Sequence, residues 1–244
     1  MSANSTTKDR KVDIIFCIDA TGSMSPCIGK VKDNAKKFYR DCVDQLTNVY
    51  GNNVEELNIK VITFRDYLDD GDSAMEISEW FDMTAGDADK YEAYLNSIIA
   101  DGGGPSPEEN GLEALYYAMT ADWNAKGDND RQVIVLFSDA DALELKDSQR
   151  VGLPNYPTDM VDKDGLISLW AGIRPDYMSQ GDFKLKQRNK RLLMYAPDNT
   201  VYQKICGMLD QSQFRAVSMD AGLQDMNFDD VIRNIAASVS SGGR

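Results

Sequence analysis

The sequence predicts a single doubly wound α/β domain with a mostly parallel central sheet, and three observations lead there. Short, nearly uninterrupted apolar runs recur at 12–18, 133–137 and 192–196, the pattern of strands covered on both faces, and 57–64 reads as a further strand. Between them stand segments with apolar residues every three or four positions, the pattern of helices with one buried face. No internal repeat or linker divides the 244 residues, a length that one α/β domain can span.

Residues 1–10 are polar, lack an apolar signal core and read as a flexible arm ahead of a domain over 11–240. The run 12–18 forms the first strand and ends at Asp19. Ile28, Val31, Ala35, Phe38, Cys42, Leu46 and Val49 then step by three or four, giving a long helix that Gly51 closes. A second strand at 57–64 leads into Arg65-Asp66-Tyr67, and 74–81 reads as a short edge strand. Residues 87–100 carry Tyr91, Leu95 and Ile98 at helical spacing. Gly102-Gly103-Gly104-Pro105 is a sharp break, and a helix from Pro107 to about Trp123 puts Leu112, Leu115 and Met119 on one side. The fourth strand, 133–137, runs into Ser138-Asp139, and the polar stretch 143–159 reads as loop. A helix around Leu166, Ile167, Leu169 and Trp170, a fifth strand at 192–196, a helix over 200–210 and a sixth strand at 214–219 follow. The last helix uses Phe228, Val231, Ile232, Ile235 and Val239, before a tail at 241–244. Strand order 3-2-1-4-5-6, one antiparallel edge strand and helices on both faces make this a Rossmann-like sheet.

Composition narrows the function. Lys and Arg number 26 against 40 Asp and Glu, a net charge of −14, and there is no histidine. A Ser-His-Asp or Cys-His pair and a histidine-ligated zinc are therefore excluded. The acidity opposes a sequence-independent grip on nucleic acid and favours cations or basic patches as counterparts. Cys17, Cys27, Cys42 and Cys206 lack C-x-x-C spacing and lie in apolar patterns, as reduced, buried thiols of a cytoplasmic protein would. No run approaches the roughly 18 apolar residues of a membrane span.

In an open α/β sheet, ligands bind beyond the carboxyl ends of the strands where strand order reverses. In the expected order the first and fourth strands are neighbours there, and they end in Asp19 and Asp139. Two carboxylates facing one crevice repel each other, and a hard cation neutralises them. Thr21 and Ser23 add oxygens on one side of a tight turn that Gly22 permits. An all-oxygen set of this kind suits Mg²⁺ or Mn²⁺ with an open position. The plainer reading has Thr21 and Ser23 capping the next helix and Asp139 merely ending a strand.

Ile-Asp-Ala-Thr-Gly-Ser-Met at 18–24, directly after an apolar strand, resembles the metal-ion-dependent adhesion motif of von Willebrand factor type A domains. The Gly-Gly-Gly…Pro-Glu loop at 102–108, Phe-Ser-Asp at 137–139 and the βα alternation fit it too, so the resemblance runs from about 12 to 238. Phe-Arg-Asp-Tyr at 64–67 and the triple glycine are most similar to intracellular members. Those include A domains attached to α-kinases and bacterial ones in stress operons with kinases and phosphatases. The resemblance implies a divalent cation ligated, directly or through water, by Asp19, Thr21, Ser23 and Asp139. It also implies a protein partner whose carboxylate completes the shell, a kinase or phosphatase encoded nearby, and a role in signalling or stress response.

One departure bears on the ligand set. Pro105 stands where similar intracellular members carry aspartate, and Gly104 where many extracellular ones carry threonine. Ser106 is the nearest substitute ligand. Ser106-Pro107-Glu108-Glu109 also reads as a capping box, with the serine hydroxyl on its own helix. Asp66 and Arg65 border the same face, Asp66 as an outer-shell acceptor and Arg65 as its pair or as a contact for a partner's acid; a surface ion pair is the plain alternative. Glu108 is a further outer-shell or partner contact, and Asp198 either borders the rim or starts the helix at Thr200. Lys184, Lys186, Arg188, Lys190 and Arg191 read as the solvated approach to an exposed strand, or as a docking patch for an acidic partner. Tyr50, Tyr116 and Trp123 read as core or helix contacts.

The leading function is thus a metal-dependent protein-interaction module. Its rivals are a metal-dependent phosphoryl hydrolase using Asp19 and a metal-free scaffold with a degenerate site, the reading Pro105 keeps open. Against the hydrolase, the first strand ends Asp-Ala-Thr, not Asp-x-Asp. The glycine loop follows an expected helix, unlike a dinucleotide fingerprint, which follows a strand.

Overall fold

A computed structural model describes residues 9–51, 53–178, 183–217 and 227–241, with side chains excepted at 31 and 34–38. The arm up to residue 8, the end of the sixth expected strand at 218–219, the last three tail residues and the expected helix contacts of Val31, Ala35 and Phe38 lie outside it.

β1 (Asp9–Asp19) runs through the middle of the sheet, because every residue from Val12 to Cys17 except Asp13 is apolar and both its faces are covered. It pairs in parallel with β2 (Asn53–Phe64). The outer edge of β2 carries two antiparallel pieces, β3 (Met75–Ile77) and β4 (Phe81–Asp82). On its other side β1 pairs with β5 (Arg131–Phe137), followed in parallel by β6 (Lys190–Pro197) and β7 (Ser212–Val217). The order β3-β2-β1-β5-β6-β7 is the expected one, with the edge strand split in two. The split falls at Ser78, whose hydroxyl takes the Val61 N–H at 2.9 Å in place of a strand carbonyl.

The period of two along β1 sorts its side chains between two cores. Ile14, Phe16 and Ile18 face α1 (Ser25–Asp44) together with two later helices, while Ile15 and Cys17 face the opposite layer. The one-turn α2 (Tyr67–Asp70) follows β2, and α3 (Ala88–Ser97) joins α1. α4 (Gly111–Met119), α5 (Lys163–Trp170) and α6 (Val201–Cys206) form the opposite layer, where Trp123 and Trp170 are fully enclosed. α7 (Phe228–Ser240) completes the α1 layer with Val231, Ile235 and Val239. Fully burying a large apolar side chain contributes about 1.5–3 kcal/mol. Among the described residues no helix is long and apolar enough to cross a membrane.

Three expectations need correction. The helix expected from Pro107 begins at Gly111, because the preceding backbone is already committed elsewhere. Glu109 N–H donates to the Asp141 carbonyl at 3.1 Å, and the Glu109 carbonyl accepts from Leu143 N–H at 2.9 Å. That extended bridge forbids a helical turn, so the capping box does not form. The basic cluster is neither a docking patch nor the approach to an exposed strand at Lys190 and Arg191. Both are buried in β6 between β5 and β7, where Arg191 Nε donates to the Ser238 carbonyl at 3.0 Å and Lys190 Nζ to Gln187 Oε1 at 2.6 Å. Tyr116 and Trp123 are core, but Tyr50 is exposed beside the Gly51 turn.

Candidate metal centre

β1 and β5 lie side by side with Ile18 opposite Phe137, so the chain leaves both strands at the same edge of the sheet. Asp19 is fully buried there. Its Oδ1 accepts Thr21 N–H at 3.0 Å and the Thr21 hydroxyl at 2.7 Å, while Oδ2 accepts the Ser138 hydroxyl at 2.8 Å. Thr21 Oγ1 lies 3.2 Å from Ser23 Oγ, and Ser23 Oγ donates to Asp139 Oδ1 at 3.0 Å. The two hydroxyls thus each donate to one carboxylate, Thr21 to Asp19 and Ser23 to Asp139, and their oxygens stand side by side with lone pairs free. Neither Thr21 nor Ser23 caps the helical turns that follow: the extended Thr21 precedes the turn Gly22–Met24 without a side-chain cap bond, and Met24 stands at the start of α1.

A cavity of about 400 Å³ opens over these oxygens, lined by Thr21, Ser23, the glycine loop, Ser106, Glu109 and Asp139. The glycines are required by space. A Cβ on Gly103, at φ 91°, would stand 2.8 Å from Thr21 Cγ2 and 2.9 Å from Glu109 Oε1. One on Gly102 would stand 1.8 Å from Asp70 Oδ1. Asp70 in turn holds the loop, accepting Gly103 N–H at 3.1 Å.

The flanking residues take other roles than those expected. The Arg65 guanidinium is buried and donates to four main-chain carbonyls: Ala20 and Asp101 at 3.1 Å, Ser73 at 2.6 Å and Ile99 at 2.7 Å. It therefore does not pair with Asp66: buried among the carbonyls of three converging segments, it has the Asp101 carboxylate at 3.5 Å as its ion-pair partner. Asp66 is buried against Arg150, whose Nε donates to its Oδ1 at 2.7 Å and whose second arm reaches Oδ2. Asp66 Oδ1 also caps α2 through Leu68 N–H. Ser106 lines the cavity, but its hydroxyl donates to Glu108 Oε2 at 2.6 Å, which occupies Glu108 as well. Asp198 is exposed in the turn before Thr200, which precedes α6.

Two residues in the site's surroundings escaped the sequence reading. Arg150 sits in the 143–159 segment, where the sequence offers two cations, Lys146 and Arg150, and nothing to distinguish them. Glu109 was read as the reciprocal member of the capping box. It is instead 2% exposed beneath the glycine loop, lines the cavity, and leaves Oε2 without a hydrogen-bond partner.

Electrostatically the site is short of positive charge. Burial pushes Asp19 up to about 6 against the pull of its hydrogen bonds, and burial raises Asp139 as well. Burial, reinforced by the charges of Asp19, Asp66 and Asp70, pushes Glu109 up to about 10. Among the described residues no three Asp, Glu, His or Cys side chains converge into a compact metal cage. The donor set is two carboxylates linked by hydroxyls, which fits a hard divalent cation that keeps part of its water.

The profile of the von Willebrand factor type A domain family matches residues 13–203. The chain belongs to this family. Type A domains are commonly protein-interaction modules and often bind divalent metals. Two crystal structures of the pilus adhesin SpaC from Lactobacillus rhamnosus GG share the fold. One, in the open conformation, is 15% identical with a TM-score of 0.50, and the alignment covers 95% of this chain and 30% of the adhesin. The other is 13% identical with a TM-score of 0.51, covering 95% and 31%. The type A chain thus spans about a third of the adhesin's length. A comparison with curated proteins finds no match.

Proposed function

We propose that this type A domain is a divalent-metal-dependent protein-interaction module that recruits an acidic group of a protein partner. The observation that carries the reading is the cluster of four oxygen-bearing side chains, with Thr21, Ser23 and Asp139 lining an open cavity and Asp19 buried behind Thr21. Asp19, Thr21, Ser23 and Asp139 would hold Mg²⁺ or Mn²⁺, directly or through water. When bound, the cation supplies a Lewis-acidic anchor that gives strength and direction to a contact with a carboxylate, which a lone surface ion pair lacks. The protein's own part is to hold its oxygens in place. Asp19 is fixed by three hydrogen bonds, and Arg65 ties the Ala20 carbonyl to the segment before the glycine loop. The interaction reading is preferred to hydrolysis because the cavity lining is made of hydroxyls, carboxylates and glycine, with no lysine or arginine among the described lining residues to meet a transferred phosphate.

A cytoplasmic setting and a signalling or stress-response role with a nearby kinase or phosphatase belong to the same proposal. The four buried, unpaired cysteines support the first, and the likeness to intracellular members supports the second.

Thermal unfolding with Mg²⁺ or Mn²⁺ against chelator tests the metal. A ligand at ten times its Kd stabilises the fold by about 1.4 kcal/mol, a rise in Tm of roughly 3–5 °C for a domain of this size. The rise is expected in the wild type and not in Asp19→Ala. Its absence from both leaves a metal-free scaffold, and phosphate-ester turnover lost in Asp19→Ala makes the domain an enzyme. Co-purification from the native host with and without chelator tests the partner.

A further inference from the structure

We infer that Glu109 supplies the loop-side acid of the metal site, the part that Pro105 cannot play and Ser106 does not. The inference rests on the metal reading above and adds a residue to it.

Three observations carry it. Glu109 lines the cavity over Asp19, Thr21, Ser23 and Asp139 and is 2% exposed, yet its Oε2 has no hydrogen-bond partner. Leaving a buried carboxylate oxygen unpaired costs at least the desolvation of that group, so the position calls for a cation or a hydrogen-bond donor in the cavity. Ser106 sits on the same wall with its proton donated to Glu108 Oε2 at 2.6 Å, so it offers the cavity a neutral oxygen and no acid.

The third observation is that the position of Glu109 is set by the backbone. Its N–H and carbonyl are tied to Asp141 and Leu143 in the segment that follows Asp139. Its Oε1 lies where a Cβ on Gly103 would come within 2.9 Å of it and 2.8 Å of Thr21 Cγ2. The glycine loop therefore passes between Thr21 and Glu109 with no room for a side chain. Because no compact three-acid cage forms among the described residues, Glu109 would act from the cavity wall, as a hydrogen-bonding acid facing the cation.

The test is Mn²⁺ titration of the full chain by calorimetry near neutral pH, for wild type, Asp19→Ala, Glu109→Gln, Glu109→Asp and Ser106→Ala, with circular dichroism confirming the fold of each. Glu109→Gln is expected to weaken Mn²⁺ at least about tenfold, the scale on which partners around a site's ligands act. Glu109→Asp, which keeps the charge, recovers part of that loss, and Ser106→Ala stays within about twofold of wild type. Glu109→Gln or, should it misfold, Glu109→Asp binding as tightly as wild type while Asp19→Ala loses the metal overturns the inference and leaves the metal site standing. A folded wild type that takes no Mn²⁺ overturns the proposed function, and the assignment of Glu109 with it.

Discussion

Arg65→Lys is the sharpest test of how the site is held together. The guanidinium spreads its donors over Ala20, Ser73, Ile99 and Asp101, carbonyls belonging to the turn after β1, the approach to β3 and the lead into the glycine loop. A lysine keeps the charge but offers a single ammonium on a flexible stem, which cannot match a planar fork aimed at several separate oxygens. Hydrogen bonds to a charged group contribute about 1.5–3 kcal/mol each. Losing two of the four would cost about 3–6 kcal/mol by the same measure, and each kcal/mol shifts Tm by about 2–4 °C in a chain of this length. A fall of about 10 °C is therefore expected in chelator, read by circular dichroism. Mn²⁺ affinity should fall as well, because Ala20 directly follows the buried Asp19 and would lose its tether to residues 99–101. A variant melting within about 2 °C of wild type would refute the view that Arg65 is the staple of these loops.

Two further outcomes follow from buried charge. Arg150→Met strands Asp66, which is fully buried and cannot reach water, so a loss of about 3–5 kcal/mol in urea unfolding is expected; the double variant Arg150→Met, Asp66→Leu should recover part of it. Burial pushes Glu113 up to about 7 from its ordinary 4.5, against a hydrogen bond from the Tyr156 hydroxyl at 2.8 Å. An acid that holds its proton more tightly when folded stabilises most below its unfolded value. That contribution declines as pH rises from 4.5 through about 7, by about 3 kcal/mol in all. Glu113→Gln, which still accepts from Tyr156, should flatten this part of the profile between pH 5 and 8, raising the urea midpoint at pH 8.

The sheet and the first half of the site were legible because their signals are local. Apolar runs mark β1, β2, β5 and β6, and Asp19, Thr21 and Ser23 are neighbours in one turn, so spacing alone brings them together. Asp139 was reachable only through strand order, which the alternation of elements supplied. What escaped reading depends on backbone pairing between distant segments. Ser106-Pro107-Glu108-Glu109 satisfies every local requirement of a capping box, yet the bond from Glu109 N–H to the Asp141 carbonyl, at 3.1 Å, overrules it and moves the helix start to Gly111. Arg65 and Arg150 were equally opaque, since adjacency suggested that Arg65 pairs with Asp66. A guanidinium chooses the acceptors the fold brings to it, and the partner of Asp66 lies 84 positions away.

These long-range ties bear on how the module would work. Asp19 is anchored by Thr21 and Ser138, the glycine loop by Asp70, and Glu109 by the backbone after Asp139. The protein oxygens are thus ordered by contacts that form on folding and need no cation to organise them. Ordering groups before binding removes that entropy from the cost of binding. Ionising the acids meanwhile carries a desolvation cost, which a proton relieves or a positive charge offsets. Rigid geometry together with unrelieved negative charge favours one small, strongly charged ligand over a flexible basic side chain, which would have to surrender its own rotamer freedom to enter. On that ground the proposed dication would suit the cavity better than a partner's lysine, and under that proposal the partner's contribution falls to an acid.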